Sequence, residues 1–176
     1  MAERYTNTLY GDHVCQRWFP DPKILVGGSI LNKEDFEHLQ RDFGVTAVLN
    51  VEQEHTDVGK VVGVPLCELP TQDDGQPKPT EWWFAGIGFS APLLLDSSSN
   101  VLYIHCQMGG SRSPAMAYGC IRAILGLSQE DALRRLHRGV PSYGTHQGHW
   151  NYMNSCESAL LLLNTLKGLS TAWRIY

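Results

Sequence analysis

The segment from residue 101 to residue 114 holds a cysteine and an arginine at a short, fixed spacing. Its apolar start, Val101–Ile104, predicts a strand; a glycine-containing loop follows, and a helix is predicted to begin near Arg112. In such a strand–loop–helix unit, successive backbone N–H groups point at one bound anion. These donors and the helix dipole favour the thiolate form of a cysteine, so Cys106 is a candidate nucleophile. Arg112 could fold back across the loop and bind two phosphate oxygens with its planar guanidinium.

The neighbouring residues support this interpretation. Gly109 and Gly110 would let the loop turn tightly and approach a phosphate. Ser113 could hydrogen-bond the cysteine sulfur and ease its departure, and His105 could orient the loop. A cysteine at a strand end is usually a packing residue, but packing does not require this combination of neighbours. The predicted phosphate-binding loop consists of His105, Cys106, Gln107, Met108, Gly109, Gly110, Ser111 and Arg112.

The elements that would position this loop alternate between strands and helices. The pattern predicts an α/β fold: a single domain over residues 1–176, with a short, mainly parallel central sheet flanked by helices. Strands are predicted at 24–26, 46–51, 61–69 and 101–104, and loops at 52–60 and 70–79. Helices are predicted at 33–43 (capped by Asn32 and closed by Gly44), 80–95 (bent or shortened at Pro92), 113–125, 129–139 and 146–167.

Composition sets limits on the class of protein. Of the 176 residues, 43% are hydrophobic and 18% charged, as in a folded domain. The net charge of −4 argues against a nucleic-acid or membrane-binding surface, so any anion site must be built locally. The segment 1–10 lacks an apolar run, and the five scattered cysteines include no C-x-x-C pair. We therefore expect no metal site, no cofactor, no membrane insertion and a cytoplasmic, reducing location.

The motif His105-Cys106-x-x-Gly109-x-x-Arg112-Ser113 resembles the signature of the protein tyrosine phosphatase superfamily. With Gln107, Ser111 and Pro114 included, the segment is most similar to that of the atypical dual-specificity phosphatases. The resemblance covers about residues 21–165. It implies a small α/β domain, no metal or cofactor, and two-step catalysis through a cysteinyl-phosphate.

A phosphatase of this kind needs a general acid to protonate the leaving oxygen. The resemblance implies an aspartate on a loop about thirty residues before the cysteine, and both Asp73 and Asp74 qualify. The pattern Asp74-Gly75-x-Pro77 favours Asp74 slightly, and both candidates stay open. We also expect the two adjacent carboxylates to raise each other's pKa.

The substrate is less well defined than the chemistry. The loop between Cys106 and Arg112 has no lysine or additional arginine, which argues against polyanionic inositol lipids. The first hypothesis is a phosphatase that acts on phosphotyrosine, with phosphoserine and phosphothreonine as further substrates, in a phosphorylated protein partner. Two alternatives are a phosphorylated glucan, stacked on Trp18, Trp82, Trp83 and Trp150, and a catalytically silent phosphate-binding module.

Overall fold

The computed structural model describes residues 6–7, 15–20, 23–96 and 99–172. Its strands are β1 (Thr6–Asn7), β2 (Cys15–Pro20), β3 (Lys23–Gly27), β4 (Ala47–Glu52), β5 (Leu66–Thr71) and β6 (Leu102–His105). Its helices are α1 (Lys33–Phe43), α2 (Thr80–Asp96), α3 (Arg112–Leu125), α4 (Gln129–Gly139) and α5 (Gln147–Ala172).

All six strands form one sheet in the order β1-β2-β3-β6-β4-β5. The four strands β3, β6, β4 and β5 run parallel, which confirms the predicted parallel sheet. The antiparallel strands β1 and β2 extend it beyond β3 and were not predicted. Since β6 pairs with β3 on one side and β4 on the other, the segment after His105 emerges at the centre of the carboxyl edge. Ligands commonly bind at this edge in α/β proteins.

Helices cover both faces of the parallel strands, as predicted. On one face, Phe36 and Leu39 of α1 pack against sheet residues that include Leu25 and Tyr103. On the other face, residues of α2, α3, α4 and α5 form a larger cluster around sheet residues such as Ile104. The predicted phosphate-binding loop therefore connects a strand and a helix that are both buried in the core.

The predicted strand at 61–69 is misplaced, because β5 runs over Leu66–Thr71 instead. Gly63 has φ of +79°, which suits a turn rather than a strand. Pro70 lies inside β5, although prolines are rare in central strands. It is tolerated because β5 is an edge strand, with β4 as its neighbour, and the pairing with β4 is irregular at this point.

The helix predictions are confirmed apart from their ends. Asn32 caps α1 by accepting a hydrogen bond from the Asp35 amide at 2.8 Å, and Gly44 closes the helix with φ of +69°. Pro92 does not shorten α2, which continues to Asp96. Among the described residues, no helix is both long and apolar enough to cross a membrane.

Candidate active site

The predicted phosphate-binding loop connects β6 to α3 and is fixed against the end of β3. The Cys106 amide donates to the Gly27 carbonyl at 3.3 Å, and the Ser29 amide donates to the Gln107 carbonyl at 3.2 Å. Gly109 has φ of +69°, and a Cβ there would lie 2.7 Å from the Gly27 carbonyl carbon. Only glycine fits this close contact between the two loops. Gly110 has neither a positive φ nor a close neighbour, so the tight turn requires Gly109 alone.

Cys106 and Ser113 face each other at the base of this loop. Both residues are buried, and the Ser113 Oγ lies 3.2 Å from the Cys106 Sγ. The same hydroxyl lies 3.4 Å from the Gly27 carbonyl oxygen, so its single proton can serve either acceptor. A hydroxyl so placed can donate to a thiolate, which agrees with the role expected for Ser113.

Arg112 is paired with a carboxylate that the sequence did not indicate. Its Nη1 and Nη2 donate to Glu54 at 2.7 and 3.0 Å, and Nη1 also donates to the Thr71 carbonyl at 2.9 Å. The hydrogen bond from Arg112 lowers the pKa of Glu54. The Arg112 Nε is buried and has no hydrogen-bond partner among the described residues. Glu54 therefore occupies the Nη end of the guanidinium and leaves the edge that carries Nε without a hydrogen bond.

The two candidate acids lie in different surroundings. The Oδ2 of Asp73 is 3.5 Å from the Arg112 Nε, and its Oδ1 accepts a hydrogen bond from the Tyr152 hydroxyl at 3.1 Å. Asp74 instead pairs with Lys78 through Oδ1 at 2.6 Å, and this bond lowers its pKa. The expectation that adjacent carboxylates raise each other's pKa is therefore wrong for Asp74. Of the two, Asp73 is the carboxylate next to Arg112.

His105 is held by a second carboxylate from the segment between β4 and β5. Its Nε2 lies 2.6 Å from the Asp57 Oδ2, and both side chains are fully buried. The ring stacks on Tyr103 with 5.3 Å between centroids, and the Tyr103 hydroxyl donates to the Gly28 carbonyl at 2.7 Å. These contacts fix the residue before Cys106 and agree with an orienting role for His105.

Sequence reasoning treated residues 52–60 as a polar loop and so missed Glu54 and Asp57. The available signal was topological: β4 and β6 are adjacent parallel strands. Residues that follow adjacent parallel strands meet at the same edge of the sheet. Carboxylates shortly after β4 were therefore candidates to face His105 and Arg112.

The segment between α4 and α5 folds back onto the first turn of α5. The Gly144 amide donates to the His149 Nδ1 at 3.0 Å, and the His149 ring stacks on Tyr143 with centroids 4.4 Å apart. Burial, together with the neighbouring His146, lowers the pKa of His149 to about 4. A proton on Nδ1 would remove the acceptor that this amide needs, which is consistent with a neutral ring.

The described residues contain no group of three or more side chains that could hold a metal ion. Two of the four tryptophans proposed as a sugar platform are buried. Trp82 and Trp83 are buried in the core, Trp150 is 39% exposed, and the side chain of Trp18 lies outside the described residues.

Comparison with known proteins agrees with this geometry. No protein-family model matches the chain. Dual specificity protein phosphatase 8 of Homo sapiens is 26% identical over 149 residues, which cover 84% of this chain and 23% of that protein. The chain thus spans about a quarter of the length of this curated relative.

Two solved structures have the same fold. Human DUSP28 superimposes with a TM-score of 0.65 at 21% identity, covering 78% of this chain and 90% of that one. A mouse putative dual specificity phosphatase complexed with zinc tungstate gives 0.68 at 19% identity, covering 90% and 95%. In its loop sequence, its fold and its sequence match, the chain is similar to the dual-specificity phosphatases of the protein tyrosine phosphatase superfamily.

Proposed function

We propose that the chain is a cysteine-dependent phosphatase that hydrolyses phosphate monoesters through a cysteinyl-phosphate on Cys106. The observation that carries the proposal is the convergence of Cys106, Ser113, Arg112 and Asp73 around one loop. An anion held by that loop would meet a sulfur, a cationic edge and a carboxyl group together. Similarity to dual-specificity phosphatases supports the same chemistry.

In the first step, the Cys106 thiolate attacks phosphorus, and the bond from phosphorus to the ester oxygen breaks. Backbone N–H groups of the loop and the Nε edge of Arg112 stabilise the charge on the phosphoryl oxygens. Asp73 donates its proton to the leaving oxygen. Glu54 holds Arg112 in place throughout, because its two bonds lie at the far end of the guanidinium.

In the second step, water attacks the phosphorus of the cysteinyl-phosphate. Asp73, now a carboxylate, accepts a proton from this water, and the sulfur leaves as a thiolate. The Ser113 hydroxyl, 3.2 Å from the sulfur, donates to the thiolate as its charge develops. Inorganic phosphate then dissociates, and the enzyme returns to its starting state.

We propose a phosphorylated protein as substrate, with phosphotyrosine first and phosphoserine and phosphothreonine second. The Glu54 carboxylate lies beside Arg112 and repels additional phosphates, which disfavours polyanionic substrates. Met108, on the phosphate-binding loop, is 51% exposed and offers an apolar contact to an aromatic ring. Burial of Trp82 and Trp83 removes two of the four tryptophans on which the glucan hypothesis depended.

The direct test is hydrolysis of para-nitrophenyl phosphate in the presence of excess chelator and reductant. The wild type should release nitrophenol, and Cys106→Ser should be inactive while still binding vanadate or phosphate. Phosphotyrosine, phosphoserine and phosphothreonine peptides then rank the protein substrates against a phosphorylated glucan. Activity in neither protein, with phosphate binding intact, would instead support the silent phosphate-binding module.

A further inference from the structure

Tyr152, near the start of α5, joins the two sides of the site. Its side chain is fully buried. The hydroxyl donates to the Asp73 Oδ1 at 3.1 Å and accepts from the Gly75 amide at 3.1 Å. The Tyr152 hydroxyl therefore binds the acid-bearing loop on both sides of Asp74. It donates its proton to one residue of this loop and accepts a hydrogen bond from another.

We propose that Tyr152 is the positioning residue that orients Asp73 for proton transfer, an inference that rests on the proposed phosphatase function. Its hydroxyl keeps the Asp73 Oδ1 as a hydrogen-bond acceptor. The proton of the neutral acid is thereby confined to Oδ2, which is the oxygen that lies 3.5 Å from the Arg112 Nε. That oxygen faces the position where the ester would be bound.

Tyr152 also remains a donor under the conditions of the reaction. The pKa of its hydroxyl is raised to about 12, chiefly by burial and also by the charge of Asp73. Hydrogen bonds from the Gly75 amide and from Ser111 act in the opposite direction.

Other contacts hold the backbone of the acid-bearing loop independently of this hydroxyl. Asn151 donates through Nδ2 to the Gly75 carbonyl at 2.8 Å, and the Lys78 amide donates to the Ser155 Oγ at 3.1 Å. The Lys78 ammonium binds the Gln72 carbonyl at 2.7 Å. Replacing Tyr152 with Phe should therefore leave the loop in place and remove only the constraint on the Asp73 carboxyl group.

The experiment measures kcat/KM for a series of aryl phosphates whose leaving phenols range from strongly to weakly acidic. A strongly acidic phenol departs without a proton, whereas a weakly acidic one requires the acid. Tyr152→Phe should lose about tenfold or more with the weakly acidic phenols, the worth of one hydrogen bond to the carboxylate that forms as the proton leaves Asp73. The loss should fall to about twofold or less with the most acidic phenol. Adding Tyr152→Phe to Asp73→Asn should cause no additional loss, because the residue acts through Asp73.

Tyr143→Phe is the matched control. Tyr143 is also fully buried, and its hydroxyl has no hydrogen-bond partner within the described residues, so its loss should leave the whole series unchanged. An equal loss of kcat/KM for all leaving groups in Tyr152→Phe would overturn the proposal. So would a wild-type kcat/KM of Tyr152→Phe with the weakly acidic phenols for which Asp73→Asn is impaired. An additional loss in the double variant would also overturn it. An inactive wild type would instead refute the proposed function itself.

Discussion

Asp73 and Asp74 are adjacent in the chain, yet replacing each with Asn should have very different effects on turnover. A general acid contributes about 100- to 10,000-fold to the rate, or about 3 to 5 kcal/mol of barrier. Asp73 is the candidate acid because its Oδ2 lies 3.5 Å from the Nε of Arg112. Asp74 forms an ion pair with Lys78 at a carboxylate that is 38% exposed. Without Asp74, Lys78 keeps its hydrogen bond to the Gln72 carbonyl. The effect on turnover should therefore stay on the scale of one hydrogen bond, about 1 kcal/mol or fivefold.

The assay is kcat for a phenyl phosphate with a weakly acidic leaving group, measured across pH. Asp73→Asn should lose at least about 100-fold and should flatten the limb of the profile at high pH, where the acid loses its proton. Asp74→Asn should keep the wild-type profile with less than about a fivefold loss. Thermal unfolding and alkylation of Cys106 check that both variants are folded. A larger loss in Asp74→Asn, or small and equal losses, would refute the assignment.

Three further predictions concern the surroundings of the site. Arg112→Lys should weaken vanadate binding at least about tenfold as well as lowering turnover, because an ammonium cannot replace the planar fork; normal binding would contradict this role. Gly148→Ala places a Cβ 3.0 Å from the Gly75 Cα. We expect it to displace the acid-bearing loop and lower kcat for weakly acidic leaving groups, while Cys106 alkylation stays normal. The folded state holds the pKa of His149 at about 4, below the ordinary value of 6.5. As pH falls from 6.5 toward 4, the unfolded chain therefore binds a proton that the folded chain does not, and the folded state loses stability. Between pH 7 and pH 5 the free energy of unfolding should fall by about 2 kcal/mol for this reason. Denaturant titrations of His149→Asn should show a pH dependence of the unfolding free energy that is smaller by this amount. The same pH dependence in the variant and the wild type would contradict the prediction.

The parts of the fold with strong local signals were predictable. The strand before Cys106 is a compact apolar run, and α1 has a start signal in Asn32 and a stop signal in Gly44. Cys106 and Arg112 could be proposed as site residues from the sequence because the proposal depends only on a spacing within one loop. The strand β5 was misplaced, since its position depends on pairing with β4 and on an edge location that lets it include Pro70.

What could not be predicted depends on contacts between residues distant in sequence. Glu54 lies 58 residues from Arg112, and Asp57 lies 48 residues from His105. Local pattern also could not separate Asp73 from Asp74, because their difference is created by Arg112 on one side and Lys78 on the other. Tyr152, 79 residues from Asp73, was hidden inside a helix whose composition gives no sign of the site.

The central claim is that phosphate passes through the sulfur of Cys106. Rapid mixing of the enzyme with an aryl phosphate, acid quenching and mass spectrometry of the digested protein would test it. The account predicts one phosphoryl group on the peptide that contains Cys106, lost on further incubation before quenching and absent from Cys106→Ser. Turnover with no such adduct, or with the phosphoryl group on another residue, would contradict the account.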